Sequence, residues 1–314
     1  MLLARELSER IWLLNRQGRV HLAVTCQGHE GAQVGSAMAL RPGKDICVPY
    51  YRDLAVILTL GMSAKLMMLN AFARRDDPNS SGRQMPAHWS WPERRVLTQS
   101  SNVATQLPHA VGMALADKLR RQQSRTIVYF GDGATSQGIF HESMNFAAIY
   151  RLPVVFFCEN NGYAISVPYR LQSSTETIAE KAAAHNIPGV RVEGHDVLAV
   201  YDVTWDALSR AERGDGPTLV EAVVPRLTSH TSNDDEARYR TSEERARVRE
   251  LDPLVFFARH LRERGLLDDA REQAMRRQVK DEVEEATAFA EESPDPDPKD
   301  LFRHLFFSGS GEEQ

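Results

Sequence analysis

Cysteine is scarce in this sequence, which contains only Cys26, Cys47 and Cys158 among 314 residues. The three show no metal-binding spacing and cannot all pair, so we expect a reducing compartment rather than a disulfide-stabilised secreted protein. Positive charge is not in excess, because 43 acidic residues outnumber 38 lysines and arginines and give a net charge of −5. This balance gives no reason to expect a nucleic-acid partner.

Long apolar segments are absent as well. The longest charge-free apolar run, about residues 54–64, is much shorter than the ~20 residues that a membrane-spanning helix needs. The N-terminus contains Glu6 and Glu9 among its arginines, which argues against a signal peptide and against an acid-poor transit peptide. We therefore expect a cytoplasmic protein without a membrane partner.

Residues 126–166 contain two short apolar runs separated by a segment of helical period. The first run, 126–130, ends in Gly131-Asp132-Gly133, and the second, 154–158, is followed by Asn160-Asn161-Gly162. This pattern predicts a βαβ unit whose two strands are parallel neighbours with a right-handed crossover. Asp132 and Asn161 would then follow the carboxyl ends of adjacent strands, where open α/β sheets bind ligands.

The residues at these strand ends suit a diphosphate bridged by a magnesium ion. Glycines let the backbone approach a ligand, Asp132 offers a carboxylate oxygen, Asn161 offers an amide oxygen, and a helix is predicted to begin near Ser136. A glycine-aspartate-glycine triplet alone is a weak signal, and the copy at 214–216 reads as an ordinary turn. The first triplet is followed after 26 residues by the asparagine pair, and this combination is specific.

The rest of the chain predicts an α/β fold, with a doubly wound, mostly parallel sheet flanked by helices. We expect helices at 2–17, 27–40, 104–121, 178–186 and 196–213, and further strands at 190–193 and 218–224. Helices at 252–267 and 268–292 predict a helical C-terminal tail at 243–314, which follows an α/β domain at 1–242. The tail would pack on the same domain or on a partner subunit, as would the apolar residues 301–307.

Several loops contain candidate functional residues. Residues 74–95 have no period but include two tryptophans and His88, so we favour a binding loop. The pair Tyr51-Arg52 could form a surface cation–π contact or bind a phosphate. Hydroxyls and amides at 100–106 are typical helix caps, but they could also bind a cation or touch a cofactor. His230 stands in a polar loop at 225–242, where a single histidine is usually solvated and inert.

Four segments together resemble one family. They are GRQMPAH at 82–88, SSNVATQ at 100–106, GDG followed by ENNGYAIS within 131–166, and SHTSNDDEARYR at 229–240. The chain resembles the alpha subunit of the thiamine diphosphate-dependent dehydrogenase component of 2-oxo acid dehydrogenase complexes, most closely the branched-chain type. The resemblance implies a thiamine diphosphate-binding fold and oxidative decarboxylation of branched-chain 2-oxo acids, with transfer of the acyl group to lipoamide of the acyltransferase component.

The resemblance also implies roles for particular residues. Magnesium would be held by two side chains and one backbone carbonyl, those of Asp132, Asn161 and Tyr163. The diphosphate would lie along the backbone of Gly131, Gly133 and Ala134. The residues expected at the phosphate end are Tyr51, Arg52 and His230, and His230 would also face the reacting carbon as a catalytic residue. The aminopyrimidine ring would lie against Ser101 and Val103. A potassium site seen in some branched-chain members matches Ser100, Thr105 and Gln106.

In this family the acid that activates the cofactor is a Glu of the beta subunit, so the resemblance implies an α2β2 heterotetramer that works with the lipoyl domain of the acyltransferase. Three features depart from the family pattern. Glu159 stands where many branched-chain members have an arginine, Asn102 replaces a common proline, and the usual N-terminal extension is absent. Thr231 occupies the position of a regulatory phosphoserine in mitochondrial members.

Three alternatives stay open. The substrate could be pyruvate or acetoin, because pyruvate-type relatives often have a glutamate at position 159. The chain could also be a non-catalytic partner subunit. A nicotinamide-dependent oxidoreductase is disfavoured, because the sequence lacks the GxGxxG motif of dinucleotide-binding folds.

Overall fold

The computed structural model describes residues 1–99, 101–303 and 305. Its centre is a five-stranded parallel sheet, whose strands are β1 (Ile46–Val48), β2 (Thr126–Gly131), β3 (Val154–Asn160), β6 (Gly189–Glu193) and β7 (Thr218–Val223). Their order in the sheet is β1-β2-β3-β7-β6. Strands β4 (Tyr163–Ala164) and β5 (Val167–Pro168) form a separate antiparallel hairpin. The predicted α/β fold with a parallel sheet is confirmed.

Ten helices surround the sheet in the part of the chain that the structure describes. They are α1 (Leu2–Arg16), α2 (Glu30–Met38), α3 (Leu54–Thr59), α4 (Ala64–Ala71), α5 (Gln106–Leu119), α6 (Gly138–Ile149), α7 (Val197–Glu212), α8 (Ser242–Arg249), α9 (Pro253–Glu263) and α10 (Asp269–Glu292). No helix within these described residues is long and apolar enough to cross a membrane.

Two predicted helices differ from the structure. The segment expected to be helical at 178–186 is a 3₁₀ helix, Ala179–His185, which ends where Asn186 adopts a left-handed conformation with φ of 52°. The helix expected to begin near Ser136 is divided, because Asp132–Ser136 is a 3₁₀ turn and the extended backbone of Gln137 separates it from α6. Strand β1 and helices α3, α4 and α8 were not predicted, since short elements carry little periodic signal.

The central strands β2, β3 and β7 are buried on both faces because they are largely apolar, whereas most residues of the edge strand β6 are exposed or partly exposed. Alternate residues of β2 point to opposite sides, so Ile127 and Tyr129 pack in the cluster that includes α2 and α7. Val128 and Phe130 belong to the cluster on the other face, with α5 and α6. The small residues of α2 let it approach α7 closely; a Cβ on Gly35 would lie 2.5 Å from the carbonyl oxygen of Val197.

The C-terminal helices pack on the rest of the chain. Val283, Ala286 and Ala290 of α10 are buried in the core cluster that contains residues of α1 and α4. Nearer the N-terminal end of α10, Met275 is exposed. Leu305 and its apolar neighbours Leu301 and Phe302 are also exposed, while residues 306 and 307 lie outside the described residues. The domain boundary at residue 242 stays a prediction.

A buried ionic network joins the first helix to this tail. The Arg5 guanidinium donates to Glu30 of α2, with Nε 2.6 Å from Oε1, and to Asp252 before α9, with Nη1 2.9 Å from Oδ2. The Glu30 side chain is fully buried and also accepts a bond from the backbone of Gly28. One arginine therefore neutralises a buried carboxylate and links three helices.

Candidate active site

The parallel sheet brings four loops together at its carboxyl edge. Tyr51 and Arg52 follow β1, Asp132 follows β2, Asn161 follows β3, and His230 lies in the loop after β7. These residues enclose a cleft of about 270 Å³. The location agrees with the general rule that ligands of open α/β sheets bind outside the carboxyl ends of the strands.

Most of the residues singled out in the sequence line this cleft. They are Tyr51, Arg52, Val103, Gln106, Gly131, Asp132, Gly133, Ala134, Asn161, Tyr163 and His230. Ser101 and Thr105 are not in its lining, and Ser100 lies outside the described residues. Several further lining residues were not among the predicted site residues; they are Tyr50, Ala104, Phe130, Gln137, Ala164 and Ile165.

Asp132 and Asn161 bring two kinds of oxygen to the cleft. Oδ2 of Asp132 accepts a hydrogen bond from Nε2 of Gln172 at 3.0 Å, and burial raises the pKa of this carboxyl although the Gln172 bond opposes the shift. Oδ1 of Asn161 accepts from the backbone N–H of Tyr163 at 3.2 Å. Within the described residues no group of three His, Cys, Asp or Glu side chains could hold a metal. One carboxylate and one amide suit magnesium, which keeps water and phosphate oxygens as its other ligands.

Gly131 and Gly133 differ in the space that surrounds their α-carbons. A Cβ on Gly133 would lie 2.9 Å from Cβ of Ala164, so packing of the hairpin on this turn requires a glycine there. A Cβ on Gly131 would have Cε2 of Tyr50 as its nearest neighbour at 3.9 Å. Gly131 also has an ordinary φ of −89°. Nothing in the chain itself requires glycine at this position, and the free space fits a ligand group.

Arg52 fixes His230 at the opposite side of the cleft. Its Nη1 donates to the carbonyl of Thr25 at 2.8 Å, while Nη2 lies 3.2 Å from both Nδ1 and the carbonyl oxygen of His230. Because a guanidinium can only donate, Nδ1 of His230 accepts and the neutral ring carries its proton on Nε2. Burial and then the nearby Arg52 and Arg226 lower the pKa of His230 to about 3. The imidazole is therefore neutral and presents an N–H donor.

The loop around His230 is held by its own polar contacts. Oδ2 of Asp234 accepts the backbone N–H of His230 at 2.8 Å and also accepts the hydroxyl of Tyr239. Arg226 donates to that hydroxyl at 2.8 Å and stacks on both Tyr163 and Tyr239. The loop after β7 is thereby attached to the hairpin that follows Asn161.

A buried acidic cluster lies behind the cleft. Oε2 of Glu159 accepts from His29 at 2.6 Å, from Gln33 at 3.0 Å and from the hydroxyl of Tyr50 at 3.1 Å. Burial opposes ionisation of Glu159, but these donors, His29 first, bring its pKa below the ordinary value. Burial and the neighbouring Glu159 raise the pKa of Asp53. The shifts favour the ionised form of Glu159 and the protonated form of Asp53, and neither residue contributes to the cleft lining.

The segment before α5 has an unusual backbone. Ala104 is fully buried with φ of 72°, a strained conformation for alanine that is often found at functional sites. Gln106 donates from Nε2 to the carbonyl of Tyr129 at 2.9 Å, and its buried Oε1 has no hydrogen-bond partner among the described residues. Thr105 bonds to the carbonyl of Asn102. Of the predicted potassium ligands in the described chain, only Gln106 has a buried unbonded oxygen.

The sequence matches the model of the family described as dehydrogenase E1 component over residues 1–299. The chain belongs to this family. It is 48% identical over 306 residues to the 2-oxoisovalerate dehydrogenase subunit alpha of Bacillus subtilis, which covers 98% of this chain and 93% of that protein. It is 40% identical to the mitochondrial 2-oxoisovalerate dehydrogenase subunit alpha of Caenorhabditis elegans, over 93% of this chain and 67% of that protein.

A further relative is the 3-methyl-2-oxobutanoate dehydrogenase subunit alpha of Mycobacterium tuberculosis, which is 37% identical over 98% of this chain and 80% of its own length. The E1 family match includes both the sheet and α10, so membership does not depend on one local motif. The expected family is confirmed.

Proposed function

We propose that this E1 chain is the alpha subunit of a branched-chain 2-oxo acid dehydrogenase, which oxidatively decarboxylates branched-chain 2-oxo acids and transfers the acyl group to lipoamide of the acyltransferase component. The observation that carries the proposal is the cleft at the carboxyl edge of the sheet, with Asp132, Asn161, Arg52 and His230 around it. The similarity along the whole chain to alpha subunits named for 2-oxoisovalerate supports the substrate class.

Thiamine diphosphate would supply the electron sink that decarboxylation needs. Magnesium would be held by the side chains of Asp132 and Asn161 and the backbone carbonyl of Tyr163, and the diphosphate would lie along Gly131, Gly133 and Ala134. The room beside Gly131 and the buried carboxylate of Asp132 support this arrangement.

Arg52, Tyr51 and His230 would form the phosphate end of the site. Arg52 supplies a buried positive charge that suits a phosphate oxygen. His230 is neutral and its Nε2–H is the group that the ring can offer to a reacting oxygen. We propose that His230 stabilises the acyl transfer to lipoamide by donating a hydrogen bond from Nε2.

Ser101 and Val103 would contact the aminopyrimidine ring, and Gln106 with Thr105 and Ser100 would bind potassium. The free oxygen of Gln106 supports a cation at that position. The expected cytoplasmic location stays a prediction.

One catalytic group would come from another chain. The activating Glu is expected on a beta subunit, with the cofactor at an α–β interface of an α2β2 assembly. The test is decarboxylation of 3-methyl-2-oxobutanoate with thiamine diphosphate and Mg²⁺, by the purified chain with and without its beta partner. We expect turnover only in the complete mixture. Turnover by the chain alone would contradict the assignment of the missing acid.

Pyruvate is a second candidate substrate, favoured by Glu159. The ratio of kcat/KM for 3-methyl-2-oxobutanoate and pyruvate decides between them. A non-catalytic subunit is the remaining alternative. Calorimetric titration of the assembly with thiamine diphosphate separates it, because a subunit that has lost its site would give no magnesium-dependent binding.

A further inference from the structure

The loop that contains His88 is fixed by side chains on both sides. The backbone N–H of Ala87 donates to Oδ1 of Asn70 at 2.8 Å, and its carbonyl accepts from Nε2 of Gln99 at 2.8 Å. Ala87 itself has φ of 65°, a costly conformation for alanine that these two bonds hold in place. The neighbouring His88 is only 7% exposed and Trp89 only 2%. The imidazole of His88 therefore has a defined position rather than that of a mobile loop side chain.

The contacts of His88 determine its tautomer. Nδ1 lies 3.3 Å from the carbonyl oxygen of Pro86, and a carbonyl can only accept, so the proton is on Nδ1. Nε2 is then an acceptor in the neutral ring. It lies 2.8 Å from Oγ of Ser101, so the hydroxyl of Ser101 must donate to it.

This contact restricts what Ser101 can offer to a ligand. A free serine hydroxyl rotates and can donate or accept, but the single proton of Ser101 is directed at His88. Ser101 is exposed, and the lone pairs of its oxygen are the groups left for another molecule. It lies two residues before Val103, which lines the cleft.

We propose that His88 is a positioning residue that keeps the Ser101 hydroxyl as a hydrogen-bond acceptor, and that it thereby selects a cofactor ring with an amino group at this position. The inference rests on the proposed function, in which Ser101 contacts the aminopyrimidine ring. It gives a role to the loop at 74–95, whose aromatic residues the proposed chemistry does not otherwise use. It also separates His88, which acts through Ser101, from residues that contact the cofactor.

The test compares two ligands of the assembled enzyme. Thiamine diphosphate has an amino group on the pyrimidine ring, and oxythiamine diphosphate has an oxo group there. Their dissociation constants are measured by tryptophan fluorescence in the presence of Mg²⁺. In His88→Met the Ser101 hydroxyl is free to rotate and donate to the oxo group, so we expect the preference for thiamine diphosphate to fall about tenfold. His88→Gln retains an acceptor and should keep most of the preference.

A double-mutant cycle isolates the path through Ser101. Ser101→Ala should lower the preference as His88→Met does, and the two changes together should lower it no further. Ser101 is exposed, so this variant keeps the test decisive if His88→Met does not fold. The matched control is Met85→Gln in the same loop. The Met85 side chain is 53% exposed, so this variant should bind both ligands as the wild type does.

The outcomes separate the two proposals. Magnesium-dependent binding with an unchanged preference in His88→Met would overturn the role of His88 alone. An assembly that binds neither compound would overturn the proposed function. Nitrogen-15 NMR of the chain without ligand provides an independent check, because the signal lost in His88→Gln should have the shifts of an Nδ1–H tautomer. An Nε2–H tautomer would contradict the hydrogen-bond assignment and the inference with it.

Discussion

Gly131→Ala should change stability and cofactor binding in opposite directions. Gly131 is the last residue of β2 and has φ of −89°, which alanine adopts without strain. The added methyl would lie 3.9 Å from Cε2 of Tyr50 and 4.0 Å from the carbonyl oxygen of Glu159, which is ordinary contact. Because alanine restricts the unfolded chain, we expect the free energy of unfolding to rise by about 0.4–1 kcal/mol.

The same methyl would occupy the space assigned to the diphosphate. Forcing an extra methyl into a filled site costs about 1–3 kcal/mol. At 1.4 kcal/mol for each factor of ten, the dissociation constant of thiamine diphosphate should rise roughly fivefold to 150-fold. Stability is measured by urea unfolding of the chain alone, and binding by magnesium-dependent titration of the assembly with the cofactor.

Gly112→Ala is the matched control. Gly112 lies in the middle of α5 on an exposed face, and a Cβ there would meet no atom within 4 Å. We expect a comparable gain in stability, because glycine in a helix interior costs about 0.5–1 kcal/mol relative to alanine, and no change in cofactor affinity. If Gly131→Ala bound thiamine diphosphate as tightly as the wild type, no ligand group would lie against its α-carbon and the diphosphate assignment would be wrong.

Three further changes test the charges of the molecule. Burial raises the pKa of Asp132, so Asp132→Asn should make the chain alone more stable at pH 7, as urea unfolding would measure. Magnesium-dependent cofactor binding should fall at least a hundredfold, and a smaller loss of affinity would refute the metal site. The pKa of His230 is lowered to about 3 in the folded chain, whereas in the unfolded chain it keeps its ordinary value near 6.5. Between these two pH values only the unfolded chain binds the proton, so the fold loses stability as pH falls from about 6.5 towards 3. His230→Gln should reduce this loss by at most about 1.4 kcal/mol per pH unit, as urea unfolding at pH 7 to 4 would measure, and an identical slope would contradict the shift. Arg5→Met leaves the buried Glu30 without its ion-pair partner and should lower the free energy of unfolding by about 3–5 kcal/mol. The control Arg10→Met removes an exposed ion pair and should lower it by less than about 1 kcal/mol. Similar free energies of unfolding for the two variants would refute the reasoning.

The sequence was sufficient to locate Asp132 and Asn161 because their signal is local. Each follows an apolar run that ends abruptly, and a parallel βαβ unit has only one arrangement that fits such runs. The position of His230 beside Arg52 could not be derived in this way, since 178 residues separate them. The resemblance to the family predicted that Arg52 and His230 lie together. The structure shows how, because the loops after β1 and β7 meet at the same edge of the parallel sheet.

Backbone conformation and packing were beyond what the sequence could predict. Both glycines of the triplet read alike, but only Gly133 is required by its contact with Ala164. The left-handed conformations of Ala87 and Ala104 have no sequence signature, because alanine rarely adopts positive φ without tertiary bonds to hold it. The loop at 74–95 was recognised by its composition, whereas the tautomer of His88 follows only from atoms 2 and 13 residues away.

Glu159 stands where many branched-chain members of the family have an arginine, but in the structure it does not place a negative charge in the cleft. A glutamate facing a diphosphate would repel it, but this carboxylate points into a cluster with His29, Gln33 and Tyr50 and is absent from the cleft lining. The positive charge at the cleft remains that of Arg52. Tyr50 both lines the cleft and donates to Glu159, so the glutamate contacts the cleft wall through that ring. The glutamate therefore alters the buried cluster behind the cleft, while the positive charge of Arg52 in the cleft remains suited to a phosphate.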